Sequence, residues 1–199
     1  MSHYFDEKQQ DTKSNQKTIT YTYDDHHFTF ISDHGVFSKD HVDQASDLLL
    51  RTVRIKPKID RVLDLGCGYG VLGIVLAKVY TLDVTLSDVN ERALWLARKN
   101  CAINHLEAQV VKSRAFESID NDFDLIVTNP PIRIGKQALY DIFKQIKDHL
   151  TLQGECWMVM HKKHGALSAL KFLNQIGHAE IFDRRKGFHI ILFKKSLTP

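Results

Sequence analysis

From Arg61 onward, short apolar runs alternate with amphipathic ones, and this alternation constrains the fold more than any other feature of the chain. The strand-like runs are Arg61 to Leu65, Val84 to Ser87, Gln109 to Val111, Asp124 to Thr128 and Cys156 to Met160. Between them the pattern predicts helices over Val71 to Val79, Glu91 to Asn104, Gln137 to Leu150 and Ala166 to Ile176. Strands separated by helices at this spacing make βαβ units, so an α/β fold is expected, with a mostly parallel sheet and helices on both faces. The clearest helix carries Leu139, Ile142, Phe143, Ile146 and Leu150 as one apolar, core-facing stripe. Gly177 is expected to cap the fourth helix. The last stretch, "AEIFDRRKGFHIILF", reads as two strands joined by a short turn, an antiparallel pair.

Upstream, residues 1–17 are polar and read as a flexible arm. "TITYTYDDHHFTFIS" alternates Ile19, Tyr21 and Tyr23, then Phe28 and Phe30, around a polar turn from Asp24 to His27, the pattern of a small N-terminal β-hairpin. Ser38 is expected to cap a helix carrying Val42, Ala45, Leu49 and Val53. Residues 18–199 therefore read as a single domain, with a hairpin and helix extension over 18–56 and a catalytic core over 57–199. A chain of 199 residues can bury a self-sufficient core, and 43% hydrophobic with 26% charged residues exclude disordered, collagenous and disulfide-framework classes. Cys67, Cys101 and Cys156 are odd in number and lack CxxC spacing, which fits a reducing cytoplasm and speaks against a metal. No run approaches a membrane span or a signal peptide, and a formal charge of +3 leaves the partner open.

"VLDLGCGYG" places Asp64, Gly66, Gly68 and Gly70 where the first core strand gives way to a helix. Glycines let the chain turn tightly and let a ligand approach the backbone at a helix N-terminus. A second acid, Asp88, closes the next strand, where the paired hydroxyls of a ribose need an acceptor. S-adenosylmethionine carries an ammonium, a sulfonium and an adenosine, so an acid-flanked loop suits it better than it suits a dinucleotide pyrophosphate. After the fourth core strand comes "TNPPIRIGK", on the same carboxyl edge. The side-chain oxygen of Asn129 and the backbone carbonyl of Pro130 can accept both N–H bonds of an exocyclic amine and hold it in line with a methyl donor. Two prolines fix that segment in an extended, non-ladder shape.

Together, "DLGCGYG", Asp88 and "NPPI" resemble the class I, Rossmann-like S-adenosylmethionine-dependent amino methyltransferases. More narrowly, "GVFSKDHVDQASDLLL" with "NPPIRIGK" resembles the ribosomal RNA small-subunit methyltransferase C family in its short single-domain form, over nearly all of the chain after residue 18. The resemblance implies a Rossmann-like sheet with an antiparallel last strand, S-adenosyl-L-methionine as cofactor, and methylation of guanine N2 in 16S ribosomal RNA or the small ribosomal subunit. It implies cofactor contact by Asp64, Gly66, Gly68, Gly70, Asp88, Val89, Arg114 and Asn129. Catalysis would fall to Asn129 and Pro130, and substrate contact to Pro131, Ile132, Arg133, Lys136 and Phe37. In many relatives an aromatic residue that stacks on the flipped base follows the two prolines. Ile132 stands there, so Phe37 is expected to complete the pocket. Arg114 replaces the usual acceptor for the adenine amino group, which requires a different or a backbone contact.

Basic residues cluster at Arg133 and Lys136, at Lys162 and Lys163, and at Arg184, Arg185 and Lys186, and those on the carboxyl edge are expected to hold RNA phosphates. His26, His27, His161 and His164 have no metal-ligand spacing and read as surface histidines. DNA adenine-N6 methylation, protein glutamine-N5 methylation and a non-catalytic RNA-binding assembly factor remain alternatives, and the oligomeric state is open.

Overall fold

The computed structural model describes residues 13–196, and of Ile132 the backbone alone. Most of the expected arm, residues 1–12, and the Ile132 side chain lie outside the described residues. A two-stranded hairpin comes first, β1 (Lys17–Tyr23) paired antiparallel with β2 (His26–Ser32). Tyr23 faces His26, so the turn is only Asp24 and Asp25, with Asp24 at φ 48°, a conformation that aspartate tolerates. Ile19, Tyr23, Phe28 and Phe30 form its buried face. Just upstream, the Ser14 hydroxyl and the Asn15 amide N–H donate to the Asp33 carboxylate at 2.7 and 2.6 Å.

Helix α1 (Gln44–Thr52) starts later than its sequence pattern suggests. Ser38 does not cap it: Ser38 lies at φ 54° in an irregular strap, and its hydroxyl donates to the His41 carbonyl at 2.6 Å. Asp43 is the cap, accepting from the Ser46 N–H at 3.0 Å. The reason is burial. Ala45, Leu48 and Leu49 reach the core, while Lys39, Asp40 and His41 do not.

Seven further strands form the core sheet: β3 (Arg61–Leu65), β4 (Asp83–Asp88), β5 (Gln109–Lys112), β6 (Phe123–Thr128), β7 (Leu150–His161), β8 (Gly177–Arg185) and β9 (Phe188–Lys195). Their order is β5-β4-β3-β6-β7-β9-β8, with β3 to β7 parallel and β9 antiparallel to both of its neighbours. Helices α2 (Val71–Tyr80), α3 (Glu91–Ile103), α4 (Lys136–Asp148) and α5 (Ala166–Ile176) connect them. Both faces of each central strand are buried. Val62, Leu125, Val127, Trp157 and Val159 pack with α1, α2, α3 and the hairpin, whereas Leu63, Ile126, Cys156, Met158 and Met160 pack with α4 and α5. The predicted elements fall within a residue or two of these bounds except β7, which is longer at its start. Gly177 does end α5, but not as a left-handed cap. Its φ is −174°, and a Cβ there would meet the Lys194 carbonyl and the Phe193 ring at 2.5 Å.

The hairpin is not a strand of the sheet. Its β2 edge is satisfied by α3: Ile31 N–H donates to Asn100 Oδ1 at 2.7 Å while Asn100 Nδ2 donates to Ile31 O at 3.0 Å, and Asn104 makes the same pair with Thr29 at 3.1 and 2.8 Å. Four helical residues rise about 6 Å and two strand residues about 6.6 Å, so amides at i and i+4 match alternate residues of an edge. Asn100 also donates to Tyr69 O at 2.9 Å. Replacing the fully buried Asn100 by leucine removes the partner of Ile31 N–H, Ile31 O and Tyr69 O, at roughly 1–3 kcal/mol for each group left orphaned. A urea melt is expected to show a lower midpoint with an unchanged slope, whereas Lys144→Ala, which removes an exposed ion pair with Asp141, should leave the midpoint in place.

Candidate active site

The chain runs β3, β4, β5 toward one side of the sheet and then returns to β6 and β7 on the other. Between β3 and β6 the departing loops diverge, and such a switch point leaves a crevice at the carboxyl ends of the strands. A cavity of about 920 Å³ occupies it, within the range of a bound small molecule.

The loop after β3 folds back on β4. Gly66 N–H and Cys67 N–H both donate to Ser87 O at 2.9 Å, and Gly68 N–H donates to the Asp88 carboxylate at 2.8 Å. Gly66 and Gly68 sit at φ 73° and 56°, positions that favour glycine, and a Cβ on either would project into open space. Gly70, at φ 95°, begins α2 without a side chain to cap it, and Asp64 supplies the acceptor: its Oδ2 takes the Gly73 N–H at 2.8 Å. Asp64 Oδ1 is buried with no hydrogen-bond partner. Burial pushes the Asp64 carboxyl up to about 7, the Gly73 bond opposes this, and the nearby Asp88 charge adds to it.

Asp88 closes β4. Its two oxygens accept from Gly68 and Asn90 N–H at 2.8 and 2.9 Å, which leaves lone pairs for further donors. Burial raises its pKa, against the pull of those backbone bonds. Ser87 Oγ, on the cavity wall, is buried without a partner. On the other wall, Thr128 is the last residue of β6 paired to β7, and its hydroxyl donates to Leu65 O at 2.8 Å. Asn129 follows, its Nδ2 donating to the Asp43 carboxylate at 3.1 Å. Pro130 is buried and Pro131, at φ −73° and ψ 100°, leads into a 3-10 turn over Ile132–Ile134.

A family model, the methyltransferase small domain, matches residues 27–192. The chain belongs to the methyltransferase small domain family. It is an S-adenosylmethionine-dependent methyltransferase. The Bacillus subtilis (strain 168) uncharacterized protein YbxB is 39% identical over 199 residues, covering 97% of this chain and 98% of that protein. The ribosomal RNA small subunit methyltransferase C of Pasteurella multocida (strain Pm70) is 35% identical over 80% of this chain. Among solved structures, the T. thermophilus 16S rRNA N2 methyltransferase in complex with AdoMet and guanosine superposes with a TM-score of 0.79 at 25% identity over 92% of this chain. The chain spans about half of these last two proteins, 46% and 51% of their lengths.

This methyltransferase has a site that suits the cofactor. Gly66 with open space where a Cβ would stand, an unpartnered buried hydroxyl at Ser87 and an acid at Asp88 with spare lone pairs form one concave wall. Of the residues expected from sequence, Gly66, Asp88, Val89, Arg114, Asn129, Pro130 and Pro131 line the cavity. Asp64 and Gly70 stand behind its wall and shape the loop, and Gly68 reaches it through its bond to Asp88. Phe37, 43% exposed on the strap, and the exposed Arg133 and Lys136 are outside the lining, while Ile134 is part of it. Ser87, Ser113, Ala115 and Ile134 were not singled out from sequence. For Ser87 a usable signal exists, since it immediately precedes Asp88 at the end of its apolar run. Among the described residues, no group of three or more His, Cys, Asp or Glu could hold a metal ion, and no helix is long and apolar enough to cross a membrane.

A carboxyl whose folded pKa lies near 7 against an unfolded value near 3.8 keeps its proton longer when folded. The stability it adds is therefore complete below about pH 4 and is lost as pH rises through about 7. The difference in unfolding free energy between wild type and Asp64→Asn is expected to shift against wild type across that window and stay flat above it, measured by urea denaturation at several pH values.

Proposed function

We propose that this methyltransferase modifies an exocyclic amine of RNA, the N2 of a guanine in 16S ribosomal RNA, with Asn129 and Pro130 as the residues that hold the amine. The observation that carries this reading is a shared cavity: Asn129 and Pro130 line the same space as Gly66, Asp88 and Val89. The names of the Pasteurella and T. thermophilus relatives support it. Residues 18–199 act as one domain, the 18–56 extension serving the 57–199 core, in the cytoplasm where ribosomal subunits are made.

When bound, S-adenosylmethionine supplies a methyl group that leaves its bonding pair on sulfur as the new N–C bond forms. Gly66 and Gly68 would leave room for it, Asp88 would accept from the ribose hydroxyls, and Val89 with the Ser113–Ala115 turn would wall the adenine. A guanine amine is a poor nucleophile because its lone pair is delocalised into the ring. Asn129 Oδ1 and the Pro130 carbonyl each accept one of its N–H bonds, which favours a pyramidal nitrogen with its lone pair toward the methyl. The surplus proton on nitrogen leaves to water. Ile134 lies against the base, and Phe37, out on the strap, meets flanking RNA.

The phosphate track follows the carboxyl edge. Arg133 and Lys136 come after β6, Lys162 and Lys163 after β7, and Arg184, Arg185 and Lys186 flank the β8–β9 turn, which Lys162 N–H ties to β7 through Gly187 O at 2.8 Å. Strands lie about 4.8 Å apart, so this edge extends roughly 15 Å beyond β6. The local field is positive: after burial, nearby His164, Lys163 and Lys162 lower the pKa of His161.

Methyl transfer from radiolabelled S-adenosylmethionine to small subunits, naked 16S rRNA, DNA and a release factor tests the substrate, with N2-methylguanine as the expected product. Label in DNA or protein, or none at all with cofactor bound, overturns it. Asn129→Ala is expected to lower kcat by about 10²–10³ with the cofactor Kd little changed. Joint replacement of Lys162, Lys163, Arg184 and Lys186 by alanine is expected to weaken RNA binding and to flatten the slope of log K against log salt by about 0.7–0.9 for each phosphate no longer neutralised. An unchanged slope would remove this edge from the RNA path.

A further inference from the structure

We propose that Asp43 is a positioning residue for methyl transfer: by accepting from the Asn129 amide it fixes which end of that amide is offered to the target amine. The proposal rests on the catalytic role given to Asn129. The two residues are 86 positions apart in sequence, and the contact joins the N-terminal extension to the end of β6.

A side-chain amide has a donor end and an acceptor end of nearly equal shape. An Asn129 free to rotate would present its NH₂ to the target amine as readily as its oxygen, and donor against donor holds nothing. Asp43 removes that freedom. A carboxylate has no N–H or O–H to give, so only Nδ2 can face it, at 3.1 Å, and Oδ1 is left for the substrate. The same carboxylate oxygen accepts from Ser46 N–H at 3.0 Å and lies 3.4 Å from Ser46 Oγ, which hold it in place. Asp43 is further anchored by α1, through Asp47 N–H to Asp43 O at 2.9 Å. On its other side, Tyr69 of the glycine loop donates to the strap carbonyls of Ser38 and His41 at 3.3 and 3.5 Å.

Capping alone does not require aspartate, since serine and asparagine cap helices about as well. This separates the two roles. Asp43→Ser can still cap α1, but its hydroxyl is one bond too short to keep both Ser46 N–H and Asn129 Nδ2. Asp43→Asn retains a carbonyl oxygen able to accept from both. With 16S rRNA as substrate, Asp43→Ser is expected to lower kcat by about 10- to 100-fold, with Tm, cofactor Kd and RNA KM near wild type. Asp43→Asn is expected to restore most of the rate. In an Asn129→Ala background Asp43→Ser should cost nothing further, because the group it positions is gone. In ¹⁵N-asparagine-labelled protein, exchange of the Asn129 side-chain NH₂ protons should be slowed in wild type and faster in Asp43→Ser.

Wild-type kcat in Asp43→Ser, a loss that only tracks its melting temperature, or unchanged exchange of the Asn129 amide would each overturn the proposal. If Asn129→Ala itself turns over normally, the catalytic reading fails and this one with it. An inactive Asn129→Ala beside a fully active Asp43→Ser would defeat the Asp43 proposal alone.

Discussion

Leu65 pairs with Ser87 on one side and Thr128 on the other, and that double register brings the ends of three strands together at the cavity. Because β3, β4 and β6 are parallel, their carboxyl ends finish together, and the next residue of each chain path is Gly66, Asp88 or Asn129. A parallel ladder leaves the last backbone groups of each strand without a strand partner. Here they are taken up at once: Ser87 O by Gly66 and Cys67 N–H, and Leu65 O by the Thr128 hydroxyl. The loop that lines the cavity is thus the same structure that terminates the sheet. A one-residue slip would turn Asp64 away from Gly73 and leave α2 without its acceptor.

A second device recurs through asparagine side chains, Asn174 among them, which donates to Ala179 O at 2.9 Å and accepts from Ala179 N–H at 3.0 Å. Asn100 and Asn104 complete the edge of β2, Asn90 donates to Gly35 O at 3.2 Å while capping α3, and Asn129 engages Asp43. A side-chain amide offers one donor and one acceptor group, which is what an exposed strand residue offers, so it can close an edge without extending the sheet. Helix α3 accordingly does two jobs. Its first turn braces Asp88 through Asn90 N–H, and its later turns hold the hairpin.

Local signals carried much of this into the sequence. Ala166–Ile176 was legible to the residue because the apolar period and its boundary glycines agree, and the glycine loop was legible because three positive φ values need three glycines. What escaped depends on distance. Ser38 and Asp43 are both good caps, and only the packing of Ala45 and Leu49 on the core chooses between them. Gly177 looks like a helix stop, yet the need for glycine comes from Phe193 and Lys194, a strand away. Phe37 is an aromatic in a suggestive motif, and nothing local tells that the strap turns it outward. The bond from Asn129 to Asp43 spans 86 residues and has no local trace at all.

The irregular strap between Gly35 and Asp43 follows from the same geometry. A helix started at Ser38 would commit the Ser38 and His41 carbonyls to N–H groups four residues on. Both carbonyls would then be lost to the Tyr69 hydroxyl, which burial keeps protonated and therefore able to donate. Asp43 would move from the cap into the body of the helix, and its carboxylate would no longer close the first turn. As a strap, the segment is fastened to α3 through Asn90, to the glycine loop through Tyr69, to the end of β6 through Asn129 and to the hairpin through Ser32 and Lys17. These ties run outside the sheet and link its two diverging loops. Forgoing one and a half turns of helix, a modest local cost for residues as polar as Lys39, Asp40 and His41, leaves both sides of the crevice braced against each other.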